Sequence, residues 1–364
     1  MDQHNRQEWS DAARGPSGWI RLSLLYVRAA MALLVVRLCS GTGAAPAGRE
    51  LTAREAPRLF RTLARLQARL DGPRIARVLV DDAFHAIIRP RPRRLWFWGH
   101  RHELVLGLPY LLAATPRELL STVARDYAHL CGQQRHHAHG GWRASVARAV
   151  YRQRRRLVWL HQQLADSHGK ALPAGVQRRL DAFMPPYLAA TLALSRACEY
   201  AADRTAGAVF GVAANTDALV RLTLLGRWID TQFWPTLFSQ ATARPRPAFM
   251  PFSAMRTAFK ASHASWARPE LLAAVWRQSD DDSAAPALRD RIIASGQAPL
   301  LPAPVLSSAA DALLGRDTTR RLIVEFDHSW WTAERKAWRA RYGVLRRAGP
   351  DDWPAPDGAT QPMA

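Results

Sequence analysis

Strand-like sequence is confined to one window of this chain. Between residues 76 and 106, short runs rich in Val, Ile, Leu and aromatics alternate with Asp, Pro and Gly breaks. They are Ala76–Val80, Phe84–Ile88, Leu95–Trp98 and Glu103–Leu106. Nearly all the remaining ordered sequence carries apolar residues at helical spacing. The chain is therefore expected to be α+β and predominantly helical, with one small antiparallel sheet built as a meander.

Helices are predicted around that window. Leu59, Phe60, Leu63, Leu66 and Leu70 place one over Glu55–Leu70. Thr115-Pro116-Arg117-Glu118 opens another, with an N-cap Thr, Pro at the first helical position and Glu three residues after the cap. It should run to about Cys131. Further helices are expected over Trp142–Ala165, Pro186–Phe210, Asn215–Phe233, Ser253–Gln278 and Trp330–Arg347, with Pro235–Pro251 irregular. The chain divides as 1–48, a polar terminus and an apolar helix; 49–292, the main domain; and 293–364, a partly disordered extension. Trp19–Cys39 is long enough to span a bilayer, but Arg28 at its middle makes insertion nearly balanced, so a membrane-associated helix is expected.

With 48% apolar residues the chain can bury a core. The formal net charge is +21. Of the 51 basic residues only Lys170, Lys260 and Lys336 are lysine. Such a surface favours anionic partners, above all an anionic membrane. No module that recognises nucleic acid is present, so no specific nucleic acid is expected. Three cysteines with no close pair exclude a disulfide framework and a thiolate zinc site, and point to a reducing, cytoplasmic setting for the folded part.

Two helical segments carry candidate chemistry: Arg125-Asp126-Tyr127-Ala128-His129, and Arg196 to Asp203 with Glu199. Positions i and i+4 share a helix face, so Arg125 lies with His129 and Glu199 with Asp203. A zinc peptidase helix carries two imidazoles at that spacing, a carboxylate beside the first, and a third ligand from another helix.

In order and spacing, VLVDDAFHA, LVLGLPYLLAATPRELLSTVA, RDYAHLCG, SRACEYAADRTAG and ALVRLTLLGRWIDTQFWPTLF resemble the HtpX and CAAX-prenyl-protease type of membrane-associated zinc metallopeptidases, which are gluzincins. The similarity runs from about Leu51 to Ile292. It implies a zincin-like fold with the sheet beside the active-site helix, and metalloendopeptidase descent. Residue by residue, His129 matches the second zinc ligand, Glu199 the third, and Asp203 the acid that supports a ligand. Arg125 stands in place of the first ligand and Asp126 in place of the catalytic Glu. Ala285 stands where a His would precede Pro286.

A guanidinium has no lone pair to donate, and Asp is one methylene shorter than the Glu it replaces. The expected function is therefore a catalytically impaired or inactive pseudopeptidase that binds a peptide or protein segment at a membrane. Arg125 would replace the metal by pairing with Glu199, and the strand near Phe84–Ile88 would capture an extended peptide. No cofactor is expected on this reading. The alternative is an active peptidase with an altered site, which would retain Zn. The arginine run from Arg152 to Arg156 is expected to be a solvated helix face, and His136, His137 and His139 a solvated loop.

Overall fold

The computed structural model describes residues 48–92, 100–131, 141–166, 173–277 and 286–347, together with Leu24, Arg28 and Ala29. It is predominantly helical with one four-stranded sheet. The strands are β1 (Arg49–Leu51), β2 (Ile75–Asp81), β3 (Ala86–Pro92) and β4 (His100–Gly107), in spatial order β1-β2-β4-β3. β1 and β2 are antiparallel, β2 and β4 parallel, and β4 and β3 antiparallel. The sheet is thus mixed, not the antiparallel meander expected.

Side-chain chemistry accounts for the rearrangement. Leu104, Val105 and Leu106 of β4 are completely buried, which suits a strand covered on both faces. β3 carries Pro90 and Pro92, which cannot donate to a ladder, and so it lies at the edge. β4 closes at Gly107, where the chain from β2 crosses so closely that a Cβ would lie 1.7 Å from the Ala83 carbonyl oxygen. The predicted strand Leu95–Trp98 lies outside the described residues. β1 carries too short a pattern to be recognised in sequence.

The main helices are α1 (Pro57–Leu70), α2 (Pro116–Cys131), α3 (Gly141–Asp166), α4 (Ala174–Ala190), α5 (Leu192–Phe210), α6 (Val212–Trp228), α7 (Pro251–Ala261), α8 (Pro269–Arg277), α9 (Leu288–Ala294) and α10 (Arg316–Arg347). α2 begins as predicted: the Glu118 N–H donates to Thr115 Oγ1 at 3.3 Å and the Thr115 N–H to Glu118 Oε2 at 2.7 Å. Its apolar face, with Leu119, Val123, Ala124 and Tyr127, packs beneath Val78, Val80, Ile88, Leu104 and Leu106 of the sheet. α5 and α6 pack on α2.

The helix expected over Pro186–Phe210 is two helices. α4 runs through Pro185 and Pro186, and the chain breaks at Thr191. There the Thr191 hydroxyl donates to the Tyr187 carbonyl, and buried Arg154 reaches Thr191 Oγ1 and the Leu188 carbonyl. The Ser253–Gln278 stretch is likewise interrupted, at Ser262 and Ala267. The start of Pro235–Pro251 is helical, as part of the short helix Trp234–Ser239.

The boundary expected after residue 292 does not separate a second unit. Ala309, Ala310, Leu313, Leu314, Leu322 and Ile323 belong to the main core, and the Ala309 N–H donates to the Ala114 carbonyl at 2.8 Å. α10 begins at Arg316, well before the Trp330 start predicted for the helix there. Trp338, Trp330 and Trp331 on it gather with Trp234 and Leu237 in a separate aromatic cluster. Apart from Leu24, Arg28 and Ala29, the apolar stretch Trp19–Cys39 lies outside the described residues. Among the described residues no helix is long and apolar enough to cross a membrane.

Candidate functional site

The C-terminal half of α2 brings Arg125, Asp126 and His129 against α3, α5 and the sheet edge. α5 contributes Glu199 and Asp203, so the two sequence segments do converge. His129 Nε2 lies 3.3 Å from Glu199 Oε1. Tyr151 of α3, absent from the sequence reading, completes the group. Its hydroxyl donates to the same Glu199 oxygen at 2.8 Å and lies 3.3 Å from His129 Nε2, with the two rings 5.0 Å apart.

The protons follow from this geometry. A carboxylate only accepts, and Tyr151 spends its one proton on it. His129 Nε2 faces that same carboxylate oxygen and the Tyr151 oxygen. Burial pushes the Glu199 carboxyl upward. The hydrogen bond and charge of His129, followed by the charges of Arg125 and Arg291, outweigh that and hold it well below the usual carboxylate range. Burial, then neighbouring Glu199, raises the Tyr151 phenol.

Asp126 is almost fully buried and both of its oxygens are occupied. Oδ2 accepts the backbone N–H of Ile88 in β3, and Oδ1 accepts Arg155 Nη2 at 2.6 Å. Burial works against the Arg155 charge, but Asp126, Tyr151 and Glu199 together hold its pKa above the ordinary value. Asp203 faces away from His129 in its bonding: Arg291 of α9 grips it through Nε–Oδ2 at 2.8 Å and Nη2–Oδ1 at 2.6 Å. That bidentate pair fixes α9 to α5.

The expected Arg125–Glu199 fork is not formed. Tyr151 and His129 are the direct partners of Glu199, and Arg125 acts on it only through space. Arg125 Nε is buried without a hydrogen-bond partner. Arg154 and Arg155 also correct the picture of Arg152–Arg156 as a solvated face, because both turn inward to make the bonds described. Tyr151 and Arg155 stand at i and i+4, so a shared inward face was a signal available in the sequence. Ala285 and the three histidines at 136, 137 and 139 lie outside the described residues.

The donor set does not fit zinc. Arg125 cannot ligate and each Asp126 oxygen already accepts a hydrogen bond, which leaves His129 and Glu199, two ligands where catalytic zinc takes three. Among the described residues no three His, Cys, Asp or Glu side chains stand together to hold a metal ion. What the group does physically is join α2, α3, α5, α9 and β3 through matched charges. Comparison of the chain with known protein families, characterised proteins and solved structures finds no match.

Proposed function

We propose that this chain is a zincin-like scaffold of metallopeptidase descent that has lost catalysis and acts by binding a peptide or protein segment at a membrane. One observation carries the reading: Asp126, at the general-base position, has both oxygens bound to Ile88 and Arg155. A base must have a lone pair directed at the proton it removes. Zn has no place in this function. The position of the first ligand holds a permanent cation, and the remaining imidazole and carboxylate are bonded to each other.

The mode of peptide capture differs from regular strand addition. Gly107 N–H donates to the His85 carbonyl, so His85, Ile87, Arg89 and Arg91 face β4. Ala86, Ile88, Pro90 and Pro92 face outward. Of these, Ile88 has its N–H taken by Asp126, and the prolines have none. The free edge thus offers carbonyl acceptors and scarcely any donors. A partner segment would attach by donating to it.

Metal analysis of the purified full chain tests the proposal. No stoichiometric zinc and no cleavage of unfolded protein substrates are expected. Arg125→His, which restores two imidazoles at i and i+4 opposite Glu199, should acquire about one zinc per chain. Stoichiometric zinc in the unaltered protein, lost on His129→Ala, would overturn the proposal.

A further inference from the structure

The carboxylates of the candidate site are taken by groups other than Arg125. Arg155 holds Asp126, and Arg291 holds Asp203. Glu199 has Tyr151 and His129 as its direct partners. Arg154, beside Arg155 on α3, turns to neutral acceptors, the Leu188 carbonyl and Thr191 Oγ1. Four guanidiniums thus stand with three carboxylates. Arg125 is left with fields alone: among the described residues it makes no hydrogen bond and no ion pair, and its Nε is buried without a partner. The polar groups beside it are engaged elsewhere. Ser121, one turn earlier on the same face of α2, donates to Asn215 Oδ1 at 3.1 Å, and the Thr122 and Tyr110 hydroxyls bond to each other at 2.8 Å. Arg125 is nevertheless only half-buried, so part of it meets solvent. A guanidinium carries five N–H donors, and donors left unmade inside a protein are costly.

We propose that Arg125 anchors a carboxylate of the peptide segment captured at this site, so that the partner is a peptide bearing a carboxylate. The proposal names the ligand class of the proposed function and rests on it. Asp126, the next residue of α2, bonds the Ile88 N–H at the free edge of β3, so Arg125 stands on the same helical turn as that bond. The edge offers carbonyls, which a peptide backbone meets with its N–H groups. Arg125 offers a planar fork, which a carboxylate meets with two oxygens. The excess of positive charge selects the sign: an anion is attracted and a cation repelled. A neutral amide accepts a bond from Arg125 but leaves its charge uncompensated.

The test is fluorescence anisotropy of the full chain with labelled hexapeptide pools, random in Val, Ile, Thr and Ala around one fixed central residue. One pool has Glu at the centre and an amidated C-terminus, a second Gln and an amidated C-terminus, and a third Gln and a free C-terminal carboxylate. The first and third separate the two sources of a carboxylate, a side chain and a chain end. At least one of them should bind about tenfold tighter than the neutral pool, the worth of a charged hydrogen bond. Arg125→Gln should abolish that preference and leave the neutral pool bound as before. A formal net charge of +21 attracts any acidic peptide, so a matched control is needed. Arg335→Gln removes the same charge at an exposed position on α10 and should keep the preference within about twofold. Arg125→Lys keeps the charge without the fork and should lose about threefold of the preference; it covers the case in which Arg125→Gln fails to fold.

Equal binding of all three pools overturns the carboxylate anchor and leaves peptide capture standing. A preference that survives unchanged in Arg125→Gln, or is lost equally in Arg335→Gln, assigns it to the general charge and likewise overturns the anchor. If no pool binds, peptide capture falls and the anchor falls with it.

Discussion

The two ends of α2 each set an arginine beside carboxylates and compensate it differently. At the N-terminal end, Arg221 of α6 meets Glu118 with Nε at 3.1 and 3.0 Å from its two oxygens and Nη2 at 3.0 Å. Its remaining reach goes to the Ala303 carbonyl at 2.8 Å, and its plane lies over the Trp266 ring at 5.4 Å. At the C-terminal end Arg125 has no such fork. Charge there is divided among Glu199, Asp126, Asp203, Arg155 and Arg291, drawn from four helices. The first end is a closed pair, and the second a distributed balance in which one cation acts at a distance. A closed pair fails all at once when either member is removed, whereas a distributed set should fail by degrees.

Substitutions can break or sharpen that contrast. Glu118→Ala leaves Arg221 buried and uncompensated, and should cost about 3–5 kcal/mol in denaturant unfolding. Asp126→Ala orphans the Ile88 N–H and releases Arg155 at the rim, for about 2 kcal/mol. Tyr151→Phe removes one hydrogen bond to a charged acceptor, for about 1.5 kcal/mol. Arg125→Met should change stability by less than about 1 kcal/mol, because no direct bond is lost. If Arg125→Met costs as much as Glu118→Ala, the contrast is wrong and the two ends are alike.

Acid titration probes the C-terminal end of α2 from a different side. Glu199 is held low despite burial, by His129 and then Arg125 and Arg291. Glu55 is held at about 2, mainly by its hydrogen bond from Arg49 and then by the Thr52 N–H. Both carboxyls lie below their unfolded values. The stability they confer is present above about pH 4.5 and is lost as pH falls through the folded values. Unfolding followed between pH 5 and 2 should therefore show a steep loss, and Glu199→Gln should flatten it.

Local chemistry was legible in the sequence where one segment contained both partners. Thr115 and Glu118 sit three residues apart, and the cap forms as read. The convergence of His129 with Glu199 was also legible, through a pattern spread along the chain. What failed required knowing which third element arrives. The sequence placed Arg125 opposite Glu199 correctly enough for its field to be felt, but Tyr151 comes from α3 and takes the carboxylate first. The run from Arg152 to Arg156 covers more than a full helical turn, so on a helix with a packed face some of it had to point inward. The sheet order depended on the relative burial of whole strands, with β4 wholly apolar at its centre and β3 interrupted by prolines, and a reading strand by strand does not weigh one against another.

The Asp126 bond to Ile88 has a consequence for self-association. An open sheet border is a template on which another copy can crystallise strand by strand. Here one carboxylate and two imino acids remove the hydrogens such growth would need. The protein can keep a bare margin on its sheet without inviting its own kind to continue it.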